Sequence, residues 1–147
     1  ACDYLRPMSR LAQHQLTALG TATYADMMAA SRRHYTWLVE RLDGLRGATV
    51  LWQKLPEGVV PFCVTILVAR DRDRWLTDLQ RRHEVMAWPT LPGDVLSRLK
   101  EFPEVERLGR RILQICLPAA HVCRTSFRHS LEELVADMER LAGTTGC

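Results

Sequence analysis

The run from Val59 to Ala69 (VVPFCVTILVA) does most to limit what this chain can fold into. It is almost wholly apolar and rich in β-branched residues, so it reads as a strand covered on at least one full face. At this length it falls well short of the roughly 20 residues that span a bilayer. Pro61 cannot donate to a ladder, so it places a strand start or a sheet edge early in the run. A strand of this kind requires partner strands and a layer of helices over it.

The rest of the chain supplies both. Residues 9–19 read as a short helix with Leu11, Leu16 and Leu19 on one side, interrupted by Gly20. A longer helix is expected from Thr23 to Asp43, with Tyr24, Met27, Met28, Tyr35, Leu38 and Leu42 recurring at three- and four-residue steps. Gly44 and Gly47 stop it. Val50–Trp52 is a short strand, and Pro56-Glu57-Gly58 is a turn. After the long strand, Asp71 stands as the N-cap of a helix whose stripe is Trp75, Leu76 and Leu79. Residues 85–88 form a strand ended by Pro89, and Trp88-Pro89-Thr90-Leu91-Pro92-Gly93 is irregular. A short helix is expected at 94–100. Pro103 opens another, using Val105, Leu108 and Ile112. A strand at 113–117 is stopped by Pro118. Ser130 with Glu133 matches a capping box opening the last helix, whose inner face is Leu131, Leu134, Val135, Met138 and Leu141.

The expected fold is α+β: a two-layer sandwich of a small, mostly antiparallel sheet with helices on one face, preceded by a helical connector. The connector covers residues 1–46 and the α+β domain covers 47–147.

Charge and composition narrow the function classes. The chain has 147 residues, a size at which one core folds without disulfides. Twenty basic and 17 acidic residues leave a net charge of +3, dispersed and too mild for nucleic acid. Two of the basic residues are lysines, so 18 are arginines, which we read as genomic composition. No basic segment precedes an apolar stretch at the N-terminus, so no secretory signal is expected, and no segment is expected to enter a membrane. The five cysteines show no zinc spacing, and a reducing cytoplasm with free thiols is the simplest setting.

The chemistry-bearing residues do not assemble into a familiar set. Cys116 with His121, or Cys123, are the candidates for a cysteine nucleophile, but no third group is evident to orient the base. The five histidines share no i, i+4 pair. His83 falls at a helix end, where a cation favours the dipole, and Glu104, Glu106, Glu132 and Glu133 are read as helix-start carboxylates with the same function. Lys54 lies in a polar turn and Lys100 at a helix end, neither suited to forming a Schiff base. There is no glycine-rich phosphate loop.

Several segments read together resemble a known family. They are Leu-Arg-Pro-Met-Ser leading into a helix, Ser-Arg-Arg-His-Tyr, Leu-Asp-Gly-Leu-Arg-Gly, the strand VVPFCVTILV, the helix RDRWLTDLQRRHEV, the loop Trp-Pro-Thr-Leu-Pro, and FPEVERLGRRILQICLPAA before a helix with Leu-Glu-Glu-Leu. Their order is similar to the C-terminal part of fold-type I pyridoxal-phosphate aminotransferases, specifically the DegT/DnrJ/EryC1/StrS sugar-aminotransferase family. The resemblance covers nearly the whole chain. It implies a small domain whose partner, a large pyridoxal-phosphate-binding domain, carries the Schiff-base lysine, so this chain would hold no catalytic residue and would not bind the cofactor alone. The parent would be a cytoplasmic homodimer that moves an amino group onto a keto sugar, typically nucleotide-linked. Arg6 matches the Arg of a family motif near the cofactor phosphate, with Tyr4 where the family has Asn. Trp88 and Thr90 would border the substrate entrance. The residues alone leave open a stand-alone ferredoxin-like ligand-binding or regulatory module without catalysis.

Overall fold

A computed structural model describes residues 21–87, 101–117 and 123–144. Among them are four helices and a four-stranded, wholly antiparallel sheet. In chain order these are α1 (Thr21–Leu42), β1 (Ala48–Val50), β2 (Cys63–Val68), α2 (Arg72–Leu79), β3 (Val85–Met86), α3 (Pro103–Gly109), β4 (Ile112–Cys116) and α4 (Thr125–Thr144). The spatial order of the strands is β1-β2-β4-β3. Because β4 is antiparallel to both β2 and β3, those two run parallel, joined through α2 with β4 inserted between them. This is a split β-α-β unit.

Alternation along the strands sorts the sheet into two faces. Val50, Val64, Ile66, Val68, Val85, Leu113 and Ile115 point one way and are buried. Register places Val64 opposite Ile115 and Ile66 opposite Leu113, so the core rests on directly facing apolar pairs. The helices α1, α2 and α4 cover this face with Tyr35, Leu38, Leu42, Trp75, Leu79, Leu131, Leu134 and Met138. The architecture expected from the sequence is therefore present, a small antiparallel sheet with helices on one face.

The helix before Gly47 joins this core. Its buried residues Ser31, Tyr35, Leu38 and Leu42 recur at helical spacing. Burial begins at Ala30, and Tyr24, expected on the apolar stripe, is 56% exposed. Two contacts bind α1 to α4: the Arg128 guanidinium lies 3.8 Å over the Trp37 ring, and the His34 and Phe127 rings meet edge to face at 5.2 Å. The stop after α1 works as expected. Gly44 and Gly47 both adopt positive φ, at 76° and 80°, which other residues reach only with strain.

Several local expectations change. The strand expected from Val59 begins only at Cys63, because Pro61 breaks the ladder and residues 51–62 form a loop. The last helix starts at Thr125, so Ser130 is interior and its Oγ donates to Ser126 O at 3.2 Å. The added turn carries Phe127, whose side chain is buried in the core. Asp71 does precede α2, but in a left-handed conformation with no side-chain capping bond. The helices expected at 9–19 and 94–100 lie outside the described residues.

Candidate functional site

Of the residues singled out by the resemblance, Arg6, Trp88 and Thr90 lie outside the described residues, as do Lys100 and His121. Lys54 is exposed beside an open groove of about 440 Å3 between the end of α1 and β1. Glu40 and Asp43 line the same groove, and their carboxylates repel a phosphate. These residues do not fit pyridoxal phosphate, and no step is derived through it.

The most ordered polar constellation joins the approach to β3 to α4. His83 Nε2 and Asp137 Oδ2 are 2.9 Å apart, with the His83 side chain 4% exposed and that of Asp137 12%. Arg82 and Arg140 add charge-assisted bonds to the same carboxylate at 3.3 and 2.9 Å. The hydrogen bond from His83 holds the Asp137 carboxyl below the usual carboxylate range, helped by Arg140 and Arg82 and opposed by burial. His83 thus has a definite structural partner beyond the helix dipole. Sequence reading passed over Asp137, although a signal existed: it lies within the apolar stripe of α4, between Leu134 and Met138, where a carboxylate calls for a buried partner.

This dyad does not extend into a catalytic triad. A cavity of about 140 Å3 lies against it, lined by Arg82, His83, Glu84, Ile115, Cys116, Phe127, Ser130, Leu131 and Leu134, below the roughly 300–1,000 Å3 of ligand pockets. The Ser130 hydroxyl is engaged with Ser126 O. Cys116 borders this cavity at the end of β4, but the alternation that turns Ile115 inward directs the Cys116 side chain to the opposite face of the sheet. Burial pushes the Cys116 thiol up, aided by nearby Cys63 and Glu84, and a protonated thiol is a poor nucleophile. No family model, curated protein or solved structure matches the chain. Glu132 and Glu133, expected at a helix start, sit inside α4 and pair instead with Arg128 at 3.3 Å and Arg82 at 3.7 Å. Glu104 and Glu106 do occupy the first turn of α3.

The second feature is an ordered apolar surface. The loop 51–62 is held to α1 by side chains: Tyr35 OH donates to Trp52 O at 2.5 Å, and Arg32 donates to the carbonyls of Pro56 and Val59. Arginines also tie the sheet, with Arg72 on Ile112 O at 3.2 Å and Arg111 on Val68 O at 3.1 Å. These guanidinium groups are structural donors, a use that composition alone did not reveal. The anchored loop presents Trp52 at 58% and Phe62 at 64% exposure. Helix α3 adds Val105 and Leu108, expected in the core but 40% and 36% exposed, and buries no residue. No helix among the described residues is long and apolar enough to cross a membrane.

Proposed function

We propose that this chain is the small C-terminal domain of a pyridoxal-phosphate aminotransferase of the sugar-modifying type, acting in the cytoplasm with a large domain that supplies the cofactor and its lysine. The observation that carries this reading is the clamped loop. Trp52, Val59, Val60 and Phe62 are all exposed, yet Tyr35 and Arg32 hold the backbone of their loop at Trp52, Pro56 and Val59. Ordered, exposed apolar surface marks a docking site for another body. A sheet with helices on one face fits a lid-like domain that shapes a cleft while the electron-sink chemistry belongs to the cofactor. The resemblance supplies the rest: the order of segments from Leu-Arg-Pro-Met-Ser to Leu-Glu-Glu-Leu, and the positions of Arg6, Trp88 and Thr90. In the parent, a homodimer, the amino group would pass from an amino acid to a keto sugar.

Titrating the isolated chain with pyridoxal phosphate tests the division of labour. No stoichiometric absorbance band of lysine-bound cofactor is expected from this chain. A stoichiometric band, traced to Lys54 or Lys100 by borohydride reduction and peptide mapping, would refute the reading.

A further inference from the structure

We propose that Cys63 and Cys116 are a modification site: a reversible cross-strand disulfide on the sheet face opposite the helices. The register of β2 and β4 places the two residues directly opposite one another. The hydrogen bonds around them show which kind of pair this is. Leu117 N–H donates to Phe62 O at 2.8 Å, and Cys116 N–H donates the other way, to Glu84 O at 2.9 Å. Cys63 and Cys116 therefore form a non-hydrogen-bonded pair, in which Cα atoms lie about 4.5 Å apart and side chains approach most closely. That separation falls within the window of about 4.4–6.8 Å for disulfides, at its short end. A disulfide at this half-exposed position would be open to exchange with small thiols, which makes the site reversible.

Access and environment agree. Both thiols are free and half-buried, so a small oxidant reaches them. The Cys63 Sγ lies 3.7 Å from the Thr65 hydroxyl on the same face. Burial pushes the Cys116 thiol up, which disfavours it as the first nucleophile, so the opening attack is assigned to Cys63. With oxidised glutathione as the oxidant, the Cys63 thiolate attacks one sulfur and expels one glutathione thiolate. Cys116, losing its proton, then attacks Cys63 Sγ and expels the second. Two protein thiols are oxidised to one disulfide, and one glutathione disulfide is reduced to two thiols. The bond closes a loop containing α2, β3 and α3 and fastens the two central strands. This inference is independent of the aminotransferase reading.

The test uses the whole chain in glutathione redox buffers, followed by alkylation and non-reducing peptide mass spectrometry. Expected is the loss of Cys63 and Cys116 from the alkylatable pool, together with a linked peptide lighter by two hydrogens and restored by dithiothreitol. Cys123→Ser should leave this product unchanged, and Cys116→Ser should trap glutathione on Cys63. The proposal is overturned if Cys63 and Cys116 remain alkylatable while other cysteines oxidise, or if either carries glutathione in the unmutated chain without a linked peptide. The main readout needs no variant, so it stands even where a serine substitution unfolds the protein.

Discussion

The two faces of the sheet are made from the same strands, yet they have different surroundings. One carries Val64, Ile66, Leu113 and Ile115, each no more than 1% exposed. The other carries Cys63, Leu67, Ile112, Gln114 and Cys116, all half-buried, with only Thr65 nearly closed off. Hydrophobicity does not separate them: Leu67 and Ile112 are as apolar as the residues beneath the helices. What differs is the helical layer, which fills one side with interlocking side chains. Stability should therefore be concentrated in one face, leaving the other available for chemistry or contact.

The sharpest way to break this comparison is a neighbouring pair of truncations. Ile66→Ala removes a side chain at 0% exposure, packed beneath the helices, and should cost about 3 kcal/mol. Leu67→Ala, one residue along and on the other face, should cost about 1 kcal/mol, because less of its surface leaves water on folding. Urea unfolding of both variants measures the contrast. Equal losses would show that the second face is as tightly packed as the first.

A second prediction concerns Asp137, the one carboxylate buried in the helical layer among the described residues. Asp137→Ala leaves His83 without its 2.9 Å partner and should cost about 2 kcal/mol, the scale of a hydrogen bond to a charged group. The sign of the pH dependence follows from the lowered folded-state value. A carboxyl group held below its unfolded value adds stability that is fully present above the unfolded value, about 3.9, and lost as pH falls through the folded one. The unmutated chain should therefore lose stability below about pH 4 more steeply than Asp137→Ala. Thermal melts across the acid range compare the two slopes, and identical slopes would remove Asp137 from the account.

These same residues show how far the sequence was legible. The β-branched run announced the central strand, and the stripes of α2 and α4 announced the layer over it, because periodicity follows directly from burial. Boundaries were harder to read. Ser130 and Glu133 match a capping box, yet the helix begins upstream at Thr125 and carries the buried Phe127, which no local pattern signals. The His83–Asp137 contact joins residues 54 positions apart, a pairing that only the fold creates. Cys63 and Cys116 each lie inside an apolar run, where a lone cysteine packs as a small hydrophobe. Their opposition depends on register, which neither segment specifies alone.

The smallest expected effect lies in α3, where the sequence pattern and the packing disagree most plainly. Val105 and Leu108 have the spacing of a buried stripe, yet this helix is held by other means. Pro103 pre-sets its first turn, Glu106 pairs with Arg110 at 2.6 Å, and Arg111 N–H bonds Leu108 O at 2.9 Å as the chain turns into β4. None of these depends on an apolar side chain. Leu108→Ser should accordingly change the stability of the isolated chain by less than about 0.5 kcal/mol, as for an ordinary surface site. A loss above about 1 kcal/mol in the same urea titration would mean that α3 is packed as its pattern implies, and the contrast between covered and uncovered surface would then stop at the sheet. If the small loss is found, the apolar stripe of α3 contributes little to folding, and its exposure joins that of Trp52 and Phe62 as surface available to a docked domain.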